Sequence, residues 1–190
     1  MKYVTPMMQK GFTLVELLIV VIILALLAAI VVPQFASSTD DAKLSSLDTS
    51  LSHMRAAIDL YYQQHGEYPG ANTAVAVACT GTDGTGLGGA GAPGEQAFLD
   101  QLSMFTDANG GACSKKELDF KFGPYLTKNT LPDNPITSSN AFEVIATGDL
   151  LMTGTAADLG WKYDLNVGKF IANDTTDPDL GGPDPSYDQR

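Results

Sequence analysis

Lys10-Gly11-Phe12-Thr13-Leu14-Val15-Glu16 opens the stretch that decides the fold, and Phe12 to Val32 reads FTLVELLIVVIILALLAAIVV. Glu16 is the one charge in those 21 residues. As a helix the run would be about 31 Å long at ~1.5 Å per residue, the thickness of a bilayer core. Lys2 and Lys10 precede it and favour leaving that end in the cytoplasm, so the remainder is exported. A cleaved secretory signal would have a shorter apolar run and small residues at its far side. Val31, Val32, Pro33 and Gln34 make a poor cleavage context. A plain single-pass anchor fits the length but leaves Glu16 unexplained, because an ionisable group in a membrane helix normally has a partner.

The same residues resemble the processing motif of type IV prepilins and type II secretion pseudopilins: a basic residue, Gly11, Phe12-Thr13-Leu14, and Glu16, with a membrane span following at once. The resemblance implies that a membrane peptidase cuts after Gly11 and N-methylates Phe12, with Glu16 as the assembly glutamate. Residues 1–11 would then be the leader, and 12–35 the transmembrane and polymerisation helix. The chemistry suits these residue types. Gly11 lets a protease approach the scissile bond, cleavage creates an ammonium on Phe12, and Glu16 lies one turn away. In a low-dielectric setting each unpaired charge strongly favours the other, within a chain or between neighbours. The partners implied are a homopolymer filament, the prepilin peptidase/methyltransferase and an inner-membrane assembly platform. The place implied is the bacterial inner membrane as a single-pass precursor, then a periplasmic or extracellular filament.

Beyond Pro33, which a membrane helix tolerates with a kink or local melting, Leu44, Leu47, Leu51, Met54, Ile58 and Tyr61 recur at spacings of three and four. That is an amphipathic stripe which a head domain would cover. His65-Gly66 followed by Pro69 reads as a helix stop, so residues 36–65 form the amphipathic half of the spine. His53 and His65 read as surface histidines on this helix.

Residues 66–172 read as a globular α+β head, with a small antiparallel sheet packed on the spine. A short helix is expected after Pro93, burying Phe98, Leu99, Leu102 and Phe105. Strand signals lie at 120–126, 141–147 and 160–172, the last turning as a hairpin through Leu165-Asn166-Val167-Gly168. Gly123-Pro124-Tyr125-Leu126, Leu131-Pro132-Asp133-Asn134-Pro135 and Gly160-Trp161-Lys162-Tyr163-Asp164 are similar to head segments of major pseudopilins. Thr80 to Gly91 reads as a mobile surface loop. Its Gly86, Gly88 and Gly91 match a dinucleotide fingerprint, but no strand leads into it. Cys79 and Cys113, on the exported side, read as one disulfide.

The chain carries 22 acidic and 11 basic residues, a formal net charge of −11. An acidic head repels nucleic acid and anionic lipid. Lys115, Lys116 and Lys121 read as a solvated face. Residues 173–190 form an acidic tail, in which Asp174, Asp177 and Asp179 are weak calcium candidates; no other cofactor is expected. No nucleophile elbow or metal-ligand spacing points to an enzyme. Three readings remain: a pilus-type filament subunit, a major pseudopilin, and a minor pilin acting as a binding or adhesin module.

Overall fold

The computed structural model describes residues 12–76, 79–155 and 159–173, with the backbone alone at 33–37. The chain divides into two compact units, Met1–Ala42 and Lys43–Arg190. Helix α1, Leu14–His65, runs through both and is continuous across Pro33. It stops as expected: Gly66 takes φ 77°, a left-handed conformation that glycine adopts without strain, and its amide donates to the Tyr62 carbonyl at 2.8 Å.

In the second unit the predicted stripe is the core. Leu47, Leu51, Met54, Ile58 and Tyr61 are buried, and Leu44 is half-buried. They cluster with Phe98 and Leu102 of helix α2 (Ala92–Ser103) and with Trp161, Tyr163 and Phe170. Each fully buried aliphatic side chain contributes about 1.5–3 kcal/mol relative to exposure. The polar rim joins in, for Arg55 Nε donates to the Phe170 carbonyl at 3.1 Å. Helix α2 buries Phe98 and Leu102 as expected, whereas Leu99 is half-buried and Phe105 lies beyond the helix.

Strands β1 (Phe105–Thr106) and β2 (Ala112–Cys113) form an antiparallel pair. Strands β3 (Phe142–Ile145), β4 (Trp161–Asp164) and β5 (Lys169–Ala172) form a second sheet in that order. The β4–β5 hairpin is the expected one, with Tyr163 opposite Phe170. The head is thus α+β, but the three-stranded sheet is mixed rather than antiparallel, because β3 runs parallel to β4 with Ile145 beside Asp164. Asp164 explains the arrangement. Its Oδ2 accepts hydrogen bonds from the Thr147, Gly148 and Asp149 amides and the Thr147 hydroxyl, so the chain leaving β3 is tied to the end of β4. Its Oδ1 accepts from the Asn166 amide at 2.9 Å. Burial alone would raise this carboxyl; the Thr147 hydroxyl and the Asn166, Gly148 and Asp149 amides outweigh it and hold the group below its ordinary value.

Two expectations are corrected. Of 120–126, only Phe122 pairs, with Thr106, because Gly123 has φ 69° and Pro124 lacks the amide that a continuing ladder needs. The glycine-rich stretch lies at the surface only in part: Thr82, Asp83, Thr85, Leu87 and Ala90 are exposed, but its glycines include packed positions. Gly84 and Gly86 are buried, and a methyl on Gly86 would stand 1.9 Å from the Ala97 nitrogen. Asp100, itself buried, accepts from the Thr85 and Gly86 amides at 2.7 and 3.2 Å. The backbone donors that a phosphate would require are already occupied there. Glycine serves close packing of this strand-like segment on α2.

Candidate functional site

The candidate site is the start of α1. Gly11 lies outside the described residues, as does the leader 1–11; Phe12 is exposed. Leu14–Val32 forms a span of 19 residues with mean hydropathy 3.3, none of it buried within the protein. At ~1.5 Å per residue it is about 28 Å long, enough for a bilayer core. Apolar side chains exposed on every side of a helix require lipid or other helices as their surroundings.

At the head of this span the structure places a capping box. The Glu16 amide donates to Thr13 Oγ1 at 3.2 Å, and Glu16 Oε2 accepts from the Thr13 amide at 2.9 Å and the Thr13 hydroxyl at 2.7 Å. The first helical bond, from the Leu17 amide to the Thr13 carbonyl, closes at 3.2 Å. Thr13 satisfies a helix-start donor and Glu16 satisfies the amide of Thr13 in return. The Glu16 carboxylate is thereby fixed at the helix mouth, on Thr13, the residue that follows Phe12. Thr13 has a part here that the sequence reading missed, although Thr13-x-x-Glu16 before an apolar run carries that signature.

The other candidates fall elsewhere. Cys79 and Cys113 are joined, with Cα atoms 5.7 Å apart across 34 residues. Asp174, Asp177 and Asp179 lie outside the described residues. Among the described residues, one group has metal-ligand spacing, Cys79, Cys113 and Glu117, and its sulfurs are bonded to each other rather than available as thiolates. Glu117 instead accepts from the Thr80 amide and hydroxyl. His53 is exposed as expected, but His65 is half-buried, which corrects the surface reading. Its ring stacks on Tyr61 with centroids 4.1 Å apart, and Nε2 contacts Thr106 Oγ1 and the Tyr125 hydroxyl at 3.0 and 3.1 Å. Burial lowers its pKa, against the opposing pull of the Ala108 backbone and Asp107.

Residues 6–32 match the family model described as the prokaryotic N-terminal methylation motif. Over 71 residues the chain is 42% identical to a fimbrial protein of Neisseria meningitidis serogroup B, covering 37% of this chain and 42% of the relative. It is 38% identical over 76 residues to the type IV major pilin protein PilE1 of Neisseria gonorrhoeae, covering 40% and 46%. It is 44% identical over 61 residues to the type II secretion system core protein G of Pseudomonas aeruginosa, covering 32% and 43%. The chain therefore spans less than half the length of these relatives. No solved structure matches it significantly.

Proposed function

We propose that this chain, which carries the N-terminal methylation motif of the type IV pilin and pseudopilin family, is a pilin-type structural subunit rather than an enzyme. The single observation that carries the reading is the capped, wholly exposed apolar helix with Glu16 held at its mouth. Before assembly the helix spans the inner membrane once; in the filament, neighbouring helices replace lipid. Cleavage between Gly11 and Phe12 leaves a methylated ammonium beside a carboxylate that Thr13 already orients. An arriving subunit's Phe12 amine takes the place of lipid at Glu16 and sets the register of one helix against the next. Glu16 therefore supports a subunit packed within a filament rather than a tip adhesin.

The pilus reading is preferred for the exposed head. The pseudopilus is the second reading, favoured by the match to a type II secretion core protein. The decisive experiment is intact-mass and N-terminal analysis of protein sheared from cells, with secretion scored in parallel. Mature chains beginning at Phe12 with one added methyl group, recovered as surface filament, are expected. Assembled protein that retains Met1, or is cut beyond Val32, would refute the reading. Loss of secretion without surface filament would select the pseudopilus.

A further inference from the structure

The turn between β1 and β2 holds a dipeptide with chemistry of its own, Asn109-Gly110. Every other asparagine precedes Thr73, Thr130, Pro135, Ala141, Val167 or Asp174. An asparagine before glycine is open to attack on its own carboxamide, because no side chain shields the backbone nitrogen that follows. Asn109 is exposed, so water and base reach it. Its backbone amide is bonded to Asp107, whereas its side-chain carboxamide has no hydrogen-bond partner among the described residues and is free to rotate.

The surrounding turn opposes the attack. Asp107 Oδ1 accepts from the Asn109 and Gly111 amides at 2.8 and 2.9 Å, and the Asp107 amide donates to the Gly111 carbonyl at 2.9 Å. Gly110 supplies the nucleophilic nitrogen. Its amide donates to the Asp107 carbonyl at 3.3 Å, the longest of these bonds. Gly110 is buried, and its carbonyl accepts from Gln101 Nε2 at 3.0 Å. Attack requires that nitrogen to leave its bond and swing onto Asn109 Cγ. The reaction therefore proceeds from an opened turn, at a rate that follows the population of that state.

We propose that Asn109 is a self-modification site, converting through a cyclic imide to aspartate and isoaspartate, and that the Asp107 carboxylate holds it shut. The Gly110 nitrogen loses its proton to hydroxide and bonds to Asn109 Cγ, the Cγ–Nδ2 bond breaks, and ammonia leaves. Water then opens the imide at either carbonyl, with no change of oxidation state. Both products place a second carboxylate beside Asp107. Isoaspartate also routes the backbone through an extra carbon, which pulls the Gly110 carbonyl away from Gln101. That buried side chain, on α2, also accepts from the Gly70 amide at 2.7 Å and donates to the Asn72 carbonyl at 3.0 Å. Modification thus loosens the joint between α2 and the segment that follows α1.

The test incubates the full chain in detergent at mildly alkaline pH and maps its peptides by mass at intervals. The peptide holding Asn109 gains the difference between OH and NH2 ahead of every other asparagine, as a mixture of aspartate and isoaspartate, and faster as hydroxide rises. Asp107→Ala speeds the gain by at least about tenfold, the effect of losing one hydrogen bond to a charged acceptor. It speeds hydrogen exchange of the Gly110 amide by the same factor, because both need that nitrogen released. Asp107→Ser, whose hydroxyl still accepts, lies between, and near-ultraviolet circular dichroism from Trp161 confirms that each variant is folded. Asn109→Gln abolishes the gain at that position. Silence at Asn109 in both wild type and Asp107→Ala overturns the proposal. A gain without isoaspartate overturns attack by Gly110, and faster exchange with no faster gain overturns the gating by Asp107.

Discussion

Replacing both cysteines, Cys79→Ala with Cys113→Ala, tests how the second unit is held closed. The bridge spans 34 residues, and the chain-entropy relation then gives ~3.8 kcal/mol at 25 °C. Within the closed segment lies α2, whose Phe98 and Leu102 sit in the main core, so the bridged loop belongs to the same folded unit as that core. Loss should therefore be global rather than confined to the loop. For a unit of this size about 3 °C of Tm follows each kcal/mol, so the midpoint falls by about 11 °C. The small void at Cys113, which is buried beside Ala76 and Phe120, adds to the loss. The assay is thermal unfolding of the full chain in detergent, followed by near-ultraviolet circular dichroism from Trp161 and by far-ultraviolet signal together. A fall below about 3 °C, with the two signals still coincident, would show that the unbridged unfolded chain is already compact and refute the entropic reasoning.

Glu16→Gln preserves the acceptor of the capping box but removes the charge, whereas Thr13→Val removes the cap and keeps the charge. Filament recovered by shearing should vanish for Glu16→Gln and survive for Thr13→Val, and the reverse pattern would make Glu16 a capping residue only. Asp164→Asn places an amide donor among donors; with five donor groups converging, a loss of roughly 2–3 kcal/mol is expected in urea unfolding. Because the folded Asp164 carboxyl lies below its ordinary value, its contribution is present at neutral pH and drains away as pH falls below about 4. His65 acts higher on the scale. Its folded pKa is lowered, so the unfolded chain protonates first and stability declines as pH drops below 6.5. His65→Gln should flatten the urea midpoint between pH 7.5 and 5.5, and an unchanged slope would refute this.

The long apolar helix and the stripe were legible because periodicity and length are local properties: six apolar residues at three- and four-residue spacing leave one face to cover. The β4–β5 hairpin was legible for the same reason, since its turn lies between its strands. The parallel β3–β4 pair was not, because nothing within Phe142–Ile145 states which way its neighbour runs; the Asp164 carboxylate decides that from 19 residues away. The glycines between Thr80 and Gly91 look alike whether the backbone is solvated or pressed against a helix, and only the position of Ala97 distinguishes the two. His65 was misread because its burial comes from Phe122 and Tyr125, supplied far along the chain. Thr13-x-x-Glu16 was legible in full, but the weight given to Glu16 as a charge obscured its use as a cap.

The bond from Arg55 to the Phe170 carbonyl joins positions 115 apart, and the stripe of α1 is covered by residues as late as Trp161 and Phe170. Ribosomal order therefore works against this domain: its first-made surface waits for its last-made hairpin. Until residue 170 has been synthesised, Leu47, Leu51, Met54 and Ile58 have no Trp161 or Phe170 to pack on, and distant pairings of this kind form slowly. A nascent chain thus carries a sticky helix face exposed until that hairpin arrives. The period of greatest vulnerability to aggregation or proteolysis is set by the time needed to deliver the C-terminal hairpin, not by the stability of the finished fold.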